Sequence, residues 1–352
     1  MYLVGRGMAE LVHRLQDQLS LRGQPESPGT EHIGERRIGH ASSLPGLLAL
    51  ASLPRPGRAG RVGSGWGSLA RVPDRVVAVL GRGVVPAETP ILRADDLGAL
   101  RGDGIFETMH VRAGRPWLLD EHLTRMAGSA TRLELPLPAR SALVELVDQA
   151  ASAWDPGVEA ALRLVCTRGP EGGGPATVFA TVAPVADPTR HARREGVAVA
   201  TASLGFPVAA RGAAPWLLGG AKTLSYAVNM ASLRWAGAHG ADDVLWLSSD
   251  GYALEAPTAT LVWLAEGTLW TVPPEETGIL AGITARWLLD HAGSLGFGAG
   301  ERLIRPSDLA GAEGVWLVSS VRGVAEVRSL DGVARTPARQ TKLLLDLLGF
   351  PR

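Results

Sequence analysis

Two residue types are almost missing from this 352-residue sequence: cysteine, present as Cys166 alone, and lysine, present as Lys222 and Lys342. A single cysteine excludes an intrachain disulfide and fits a reducing, cytoplasmic setting. Cys166 lies in the apolar run ALRLVC and reads as a buried, inert thiol rather than a nucleophile. No excess of either charge exists, because 35 Lys+Arg balance 35 Asp+Glu. That balance gives no global pull toward nucleic acid or an anionic membrane, so any anion must be held locally. Long apolar runs are missing too. The stretch Leu44 to Leu53 is far shorter than the about 20 residues of a membrane span and contains Pro45. Arg6, Glu10, Arg14 and Asp17 interrupt any secretory core near the N-terminus. His110 and His122 have no metal-ligand spacing around them and read as ordinary residues; no metal is expected.

What is present supports a buried core, with 46% hydrophobic residues. The scarcity of lysine gives each lysine weight. A guanidinium stays protonated, whereas an ammonium in a desolvated pocket can lose its proton and become an amine nucleophile. Lys342, in QTKLLLDLLG, fits the solvated face of a C-terminal helix. Lys222, among small and apolar residues in GGAKTLSYAVN, is the candidate nucleophile.

The chain divides into four stretches. Residues 1–73 are rich in Gly, Pro, Ser and Arg and show little periodicity, as a disordered arm or an upstream extension would. Gly63, Gly65 and Gly67 lack both the spacing and the preceding strand of a dinucleotide fingerprint. Residues 74–187 read as a small α/β domain. RVVAVL is a strand there; IFETMHV and RPWLL pair across Arg112-Ala113-Gly114; Asp120 caps a helix, a second helix follows near SALVELVDQAASAW, and ALRLVCT and TVFATVAPV are strands. Residues 188–194 read as a linker. Residues 195–352 form a larger unit with strands GVAVATASL, DDVLWLS, TLVWLAEGTLWTV (turning at Glu266-Gly267), GVWLVSS and VAEVRSLDGVA, and helices ITARWLLDHAGSLG and RQTKLLLDLL. Strands and helices mix without βαβ alternation, which predicts an α+β fold with a mixed sheet or pseudo-barrel.

Three local features carry chemistry. In GILAGIT a glycine-flanked turn enters a helix at Ile283 and Thr284, whose free N–H groups and hydroxyl suit an anion. Lys222 follows two glycines and precedes Tyr226. Glu255, in YALEAP, must either face solvent or meet a cation, since an unpaired buried carboxylate is costly.

RGDGIFETMHVRAGRPWLLDEHLTRM, GGAKTLSYAVN, SSDGYALEAPTATLVW, GILAGIT and WLVSSVRGV occur in this order. Together they resemble the fold-type IV pyridoxal-phosphate enzymes: aminodeoxychorismate lyase, D-amino-acid aminotransferase and branched-chain aminotransferase. The resemblance spans about Arg75 to Leu348. It implies a two-domain fold-type IV enzyme that binds pyridoxal 5'-phosphate, acts on a small molecule and assembles as a homodimer. Lys222 would be the Schiff-base lysine and the base that moves the substrate proton. Glu255 would hold the pyridine nitrogen, Arg125 the phosphate, and Ile283 and Thr284 the same phosphate. Leu280 would pack on the ring, with Tyr226 and Ser320 also on the cofactor side. Phe106, Arg168 and Arg322 would face the substrate. Helical spacing by itself makes Arg125 an exposed charge opposite the apolar stripe of Leu123, Met126, Ala127 and Ala130.

Family members differ in what they do to the bound amine. GDGIFET with HVRAG, and Ser320 with Arg322 in SSVRGV, look more like the lyase and D-amino-acid branch. Thr108 lies where lyases can place a hydroxyl for proton transfer, although Glu107 stands where some have Thr. The expectation is therefore a 4-amino-4-deoxychorismate lyase, releasing 4-aminobenzoate and pyruvate. A transaminase of D-amino or branched-chain amino acids and a non-catalytic cofactor-binding relative are the alternatives.

Overall fold

In the computed structural model, which describes residues 74–350, the small N-terminal sheet is wholly antiparallel. Its strands are β1 (Val76–Val79), β2 (Gly83–Val85), β3 (Gly104–Arg112), β4 (Arg115–Pro116), β5 (Ala160–Thr167) and β6 (Val178–Pro184), in the order β2-β1-β6-β5-β3-β4. Helix α1 (Leu97–Arg101) precedes β3, and α2 (Leu119–Arg132) and α3 (Arg140–Ser152) cover one face. Period-two alternation places Ile105, Met109 and Val111 of β3 and Leu162, Leu164 and Cys166 of β5 on that face. They bury against Leu123, Met126 and Ala130 of α2 and Leu143, Leu146 and Val147 of α3. The Cys166 thiol is buried, and that burial pushes it up to about 12, so it is inert as expected.

Two local expectations need correction. The return arm of the β3 hairpin is two residues long, because Leu118 turns the chain at φ 55° and helix α2 starts at Leu119. Asp120 is therefore not the cap. It sits inside the first turn, where its charge favours the helix dipole.

The connection read as a linker is helix α4 (Asp187–Glu195), whose Arg193 is buried. The second sheet then comprises β7 (Val197–Ser203), β8 (Asp243–Leu247), β9 (Thr260–Ala265), β10 (Thr268–Thr271), β11 (Gly298–Glu301), β12 (Gly314–Ser319), β13 (Gly323–Leu330) and β14 (Val333–Ala334). The order is β11-β10-β9-β12-β13-β7-β8, with β14 on β13. Pairs β10–β11, β13–β7 and β7–β8 are parallel and the others antiparallel, so the sheet is mixed as predicted. Strand β11, glycine-rich and short, carries no apolar pattern by which it could be anticipated.

Helices α5 (Ala210–Ala213), α6 (Ala227–Ala238), α7 (Pro274–Thr277), α8 (Ile283–His291) and α9 (Thr341–Leu347) complete the fold. Strands β9 and β12 are apolar along their whole length because both faces are covered. Leu261, Trp263, Val315 and Leu317 enter one core; Val262, Leu264, Trp316 and Val318 enter another, beneath Leu288 of α8 and Leu344 of α9. Both sheets belong to one compact unit. The segment 1–73 lies outside the described residues.

Candidate active site

The segment carrying Lys222 reaches its place by pairing with β3 of the small sheet. The Phe106 N–H donates to the Lys222 carbonyl at 3.1 Å, and the Leu224 N–H to that of Gly104 at 2.8 Å. From helix α2, Ser129 Oγ accepts the Lys222 N–H at 3.0 Å. The ammonium end is thereby fixed 4.6 Å from the centre of the Phe106 ring and 3.4 Å from Tyr226 Oη. Phe106 and Tyr226 meet edge to face, 5.1 Å apart. Burial beside the Arg125 guanidinium lowers the Lys222 amine to about 8. Desolvation and a neighbouring cation both disfavour the ammonium, as a nucleophilic amine requires.

Glu255 is also buried, on the chain that returns antiparallel to β8. Its Oε2 accepts the Leu280 N–H at 3.2 Å, and its Oε1 lies 3.4 Å from Arg211 Nη1. Burial raises its carboxyl to about 7, while Arg211, the Leu280 N–H and Lys222 act in the opposite direction. Arg211 was not anticipated; it comes from the short α5, whose sequence marks nothing.

This carboxyl predicts a measurable stability effect. The folded cofactor-free chain holds the proton to about pH 7, whereas an unfolded carboxyl releases it near pH 4.5. Stability therefore falls as pH rises through that window. Glu255→Gln, which carries no ionisable proton, should melt above the wild type at pH 8 and converge with it near pH 4.5. Calorimetry giving an equal or lower melting temperature at pH 8 would contradict this.

Glu107, Arg125, His122, Ser320 and Thr284 form one connected chain of polar groups. Glu107 projects from β3 onto the helix-covered face and is fully buried. Arg125 grips it with two bonds, Nε to Oε1 at 2.8 Å and Nη2 to Oε2 at 2.7 Å. His122 Nδ1 lies 2.6 Å from the same Oε2. Although burial alone would raise it, these two partners hold Glu107 down to about 2. The remaining guanidinium nitrogen of Arg125 donates to the Ala281 carbonyl at 2.9 Å, at the entrance to α8. His122 Nε2 meets Ser320 Oγ at 3.3 Å, and Thr284 Oγ1 lies 3.5 Å from Ser320 Oγ. Gly282 is the N-cap of α8, and a side chain there would run into the Thr260 hydroxyl. The free N–H groups of Ile283 and Thr284 follow it. A guanidinium, two hydroxyls and a helix start thus converge as an anion cup requires.

Thr108 and Arg163 face each other across β3 and β5, on the sheet face that carries Phe106. The Arg163 guanidinium lies 5.6 Å from the Phe106 ring centre and contributes to lowering Lys222. No ion pair engages it among the described residues. Arg168 and Arg322 are differently placed. Arg168 pairs with Asp103 at 2.6 Å and donates to the carbonyls of Leu133 and Glu134, at the end of α2. It borders a cavity of about 350 Å³ that is also lined by Thr223 and Ser225. Arg322 pairs with the buried Asp243 at 2.8 Å.

The structure thus gathers Lys222, Tyr226, Phe106, Glu255, Leu280, Arg125, Ile283, Thr284 and Ser320, with Thr108 on the same side of the small sheet as Phe106. Sequence reasoning missed Glu107, His122, Ser129, Arg163 and Arg211. The EHLTR spacing puts His122 one turn before Arg125, which is the one signal that could have drawn attention to it. No group of His, Cys, Asp and Glu able to hold a metal exists among the described residues. No helix among them is long and apolar enough to cross a membrane.

A bifunctional aminodeoxychorismate lyase / D-amino acid transaminase of Mycobacterium tuberculosis is 42% identical over 272 residues, covering 74% of this chain and 94% of its own length. The solved pyridoxal-phosphate-bound form of a hypothetical aminotransferase from the same organism superposes with a TM-score of 0.75 at 41% identity, over 78% of this chain and 97% of that one. A fold IV transaminase of Curtobacterium pusillum gives 0.73 at 36%, over 78% and 96%. The model of the class IV amino-transferases matches residues 104–330, from the first residue of β3 to the last of β13. With a desolvated lysine, a buried carboxylate and an anion cup inside that span, the chain belongs to the class IV aminotransferases, an enzyme family that works with pyridoxal 5'-phosphate.

Proposed function

We propose that this enzyme is a 4-amino-4-deoxychorismate lyase, releasing 4-aminobenzoate and pyruvate from the Lys222 site. The observation that carries the reading is the pair Thr108–Arg163 on the face of the small sheet that holds Phe106, with Phe106 against Lys222. An aromatic ring, a hydroxyl and a cation without an anionic partner among the described residues suit a cyclic substrate that bears carboxylates and must expel an oxygen-linked group.

The residues fit pyridoxal 5'-phosphate by their donor chemistry. Lys222 would hold its aldehyde carbon, Glu255 its ring nitrogen, and Arg125, Ile283, Thr284 and Ser320 its phosphate, with Leu280 and Tyr226 beside the ring. When bound, the cofactor supplies an electrophilic carbon for amines and a ring that withdraws electrons from the neighbouring substrate carbon. The work of the chain's own groups follows. The Lys222 amine, lowered to about 8, takes the proton from the substrate carbon. The Thr108 hydroxyl passes a proton to the departing enolpyruvate oxygen. Arg163 binds a substrate carboxylate, whereas the charges of Arg168 and Arg322, which the resemblance turns toward the substrate, are answered by Asp103 and Asp243. Arg163→Met should accordingly raise KM at least about tenfold with a smaller change in kcat, since it removes binding rather than chemistry. Steady-state kinetics in which only kcat falls would remove Arg163 from the substrate.

Aminodeoxychorismate supplied to the holoenzyme without any keto acid should yield 4-aminobenzoate and pyruvate. A second reading, D-amino-acid transamination at the same lysine, is favoured by the two activities in the name of the Mycobacterium tuberculosis relative. D-alanine with 2-oxoglutarate tests it, and glutamate formed without any lyase product would overturn the first reading. A homodimer is proposed as the working form. Val228, Met230 and Trp235 stand exposed on α6, and a monomer mass in sedimentation equilibrium would contradict pairing.

A further inference from the structure

We propose that His122 is a positioning residue that takes up a solvent proton as a phosphate dianion enters the cup, freeing the Ser320 hydroxyl to turn and donate to that dianion. The proposal rests on the reading of Arg125, Ser320 and the start of α8 as the phosphate cup, and it follows from counting hydrogens. His122 is fully buried, with Nδ1 2.6 Å from an ionised Glu107 oxygen, so Nδ1 carries a hydrogen. In the neutral ring Nε2 is then a bare acceptor. Its partner is Ser320 Oγ at 3.3 Å, which must give its single hydrogen to the ring. Thr284 Oγ1, 3.5 Å beyond, supplies the next donor in the chain.

A dianionic phosphate brings acceptors only. Ser320 cannot donate to the phosphate and to Nε2 with one hydrogen. If the ring gains a proton, Nε2 becomes the donor, Ser320 accepts from it, and the hydroxyl hydrogen points into the cup. The charged groups facing His122 are Glu107 from β3, Arg125 from its own helix and Lys222 from the lysine segment. In the empty cup, burial together with Arg125 and Lys222 keeps the ring neutral, against the pull of Glu107. An arriving dianion opposes the first three. Linkage is reciprocal, so an anion that raises the ring's titration midpoint by one unit binds about tenfold more tightly once the pH is low enough for the ring to be charged.

The test uses cofactor-free enzyme with imidazole nitrogens labelled for NMR, and inorganic sulfate as the probe. Sulfate is a tetrahedral dianion throughout pH 5–9, and the missing resonance in His122→Gln assigns the ring. Saturating sulfate should move the His122 midpoint up by at least about one unit. Sulfate affinity, read as competition against uptake of pyridoxal 5'-phosphate, should strengthen toward low pH about tenfold more in the wild type than in His122→Gln, where Lys222, with its amine at about 8, supplies the pH dependence that remains. Should that variant fail to fold, Ser320→Ala carries the test: without the hydroxyl to turn, the midpoint shift should shrink to less than half. Sulfate that competes with the cofactor yet leaves the midpoint in place overturns the proton uptake alone. Sulfate that does not compete overturns the cup, and the proposal with it.

Discussion

Lys222→Ala is expected to abolish turnover, lowering it by at least about 10⁴-fold, because one amine serves as both nucleophile and base. The absorbance of the enzyme-bound cofactor imine should disappear with it. Small primary amines added to the alanine variant should restore part of the rate, since the cavity left beside Phe106 and Tyr226 admits them. Lys222→Arg should not recover, because a guanidinium keeps its proton. The wild type adds a pH signature. With the amine at about 8, the rate of cofactor uptake should climb with pH, pass half its maximum near 8 and level off above that, where an ordinary lysine amine would still be rising. A Lys222→Ala enzyme that retained both absorbance and turnover would show that the reacting amine lies elsewhere.

The second large effect is structural before it is catalytic. Glu107 is a fully buried anion between Arg125 and His122, so Glu107→Ala leaves a half-buried guanidinium without its counter-charge. Breaking a buried pair from one side costs about 3–5 kcal/mol. For a chain of this size that corresponds to a melting temperature lower by roughly 4–7 °C. Cofactor affinity should fall as well, because the fork that aims Arg125 at the start of α8 is gone. The sign with pH follows from a carboxyl held down to about 2: its stabilisation is complete above pH 4.5 and is lost as pH falls toward 2. Glu107→Gln should therefore flatten part of the acid limb of the melting profile. Glu159, likewise held near 2 by His110 and Arg193, keeps another part of that limb. Melting curves of wild type and both variants between pH 2 and 8 decide the matter, and an unchanged acid limb in Glu107→Gln would count against the pair.

Much of this was visible in the chain. The strands of the large sheet could be placed because β9 and β12 are covered on both faces and are written as unbroken apolar runs. Lys222 stood out by scarcity, and Glu255 by the cost of a carboxylate inside an apolar segment. Other features were hidden for identifiable reasons. The helix start at Leu118 depends on a left-handed backbone at a residue with no such preference, so Asp120 took the role of cap on paper. Periodicity assigned Arg125 to solvent, since nothing local reveals that β3 offers Glu107 to it across 18 positions. The resemblance turned Arg168 and Arg322 toward the substrate, and nothing local reveals that Asp103 and Asp243, 65 and 79 residues away, come alongside them. Arg163 carried no signal at all, because its place beside Phe106 follows from the pairing of β3 with β5. Charges are legible as residues, and their partners only as tertiary structure.

The way the lysine strand is fastened bears on how such an enzyme can open. Its backbone is stitched to β3 and its flank to Ser129, while Arg125 reaches over to Ala281 and Arg112 to the Leu348 carbonyl. Swinging the two halves apart would tear the nucleophile from its own support, so a hinge between them is a poor gate. Access for a bulky substrate has to be regulated at the rim, by loops that can move while the weld beneath stays intact.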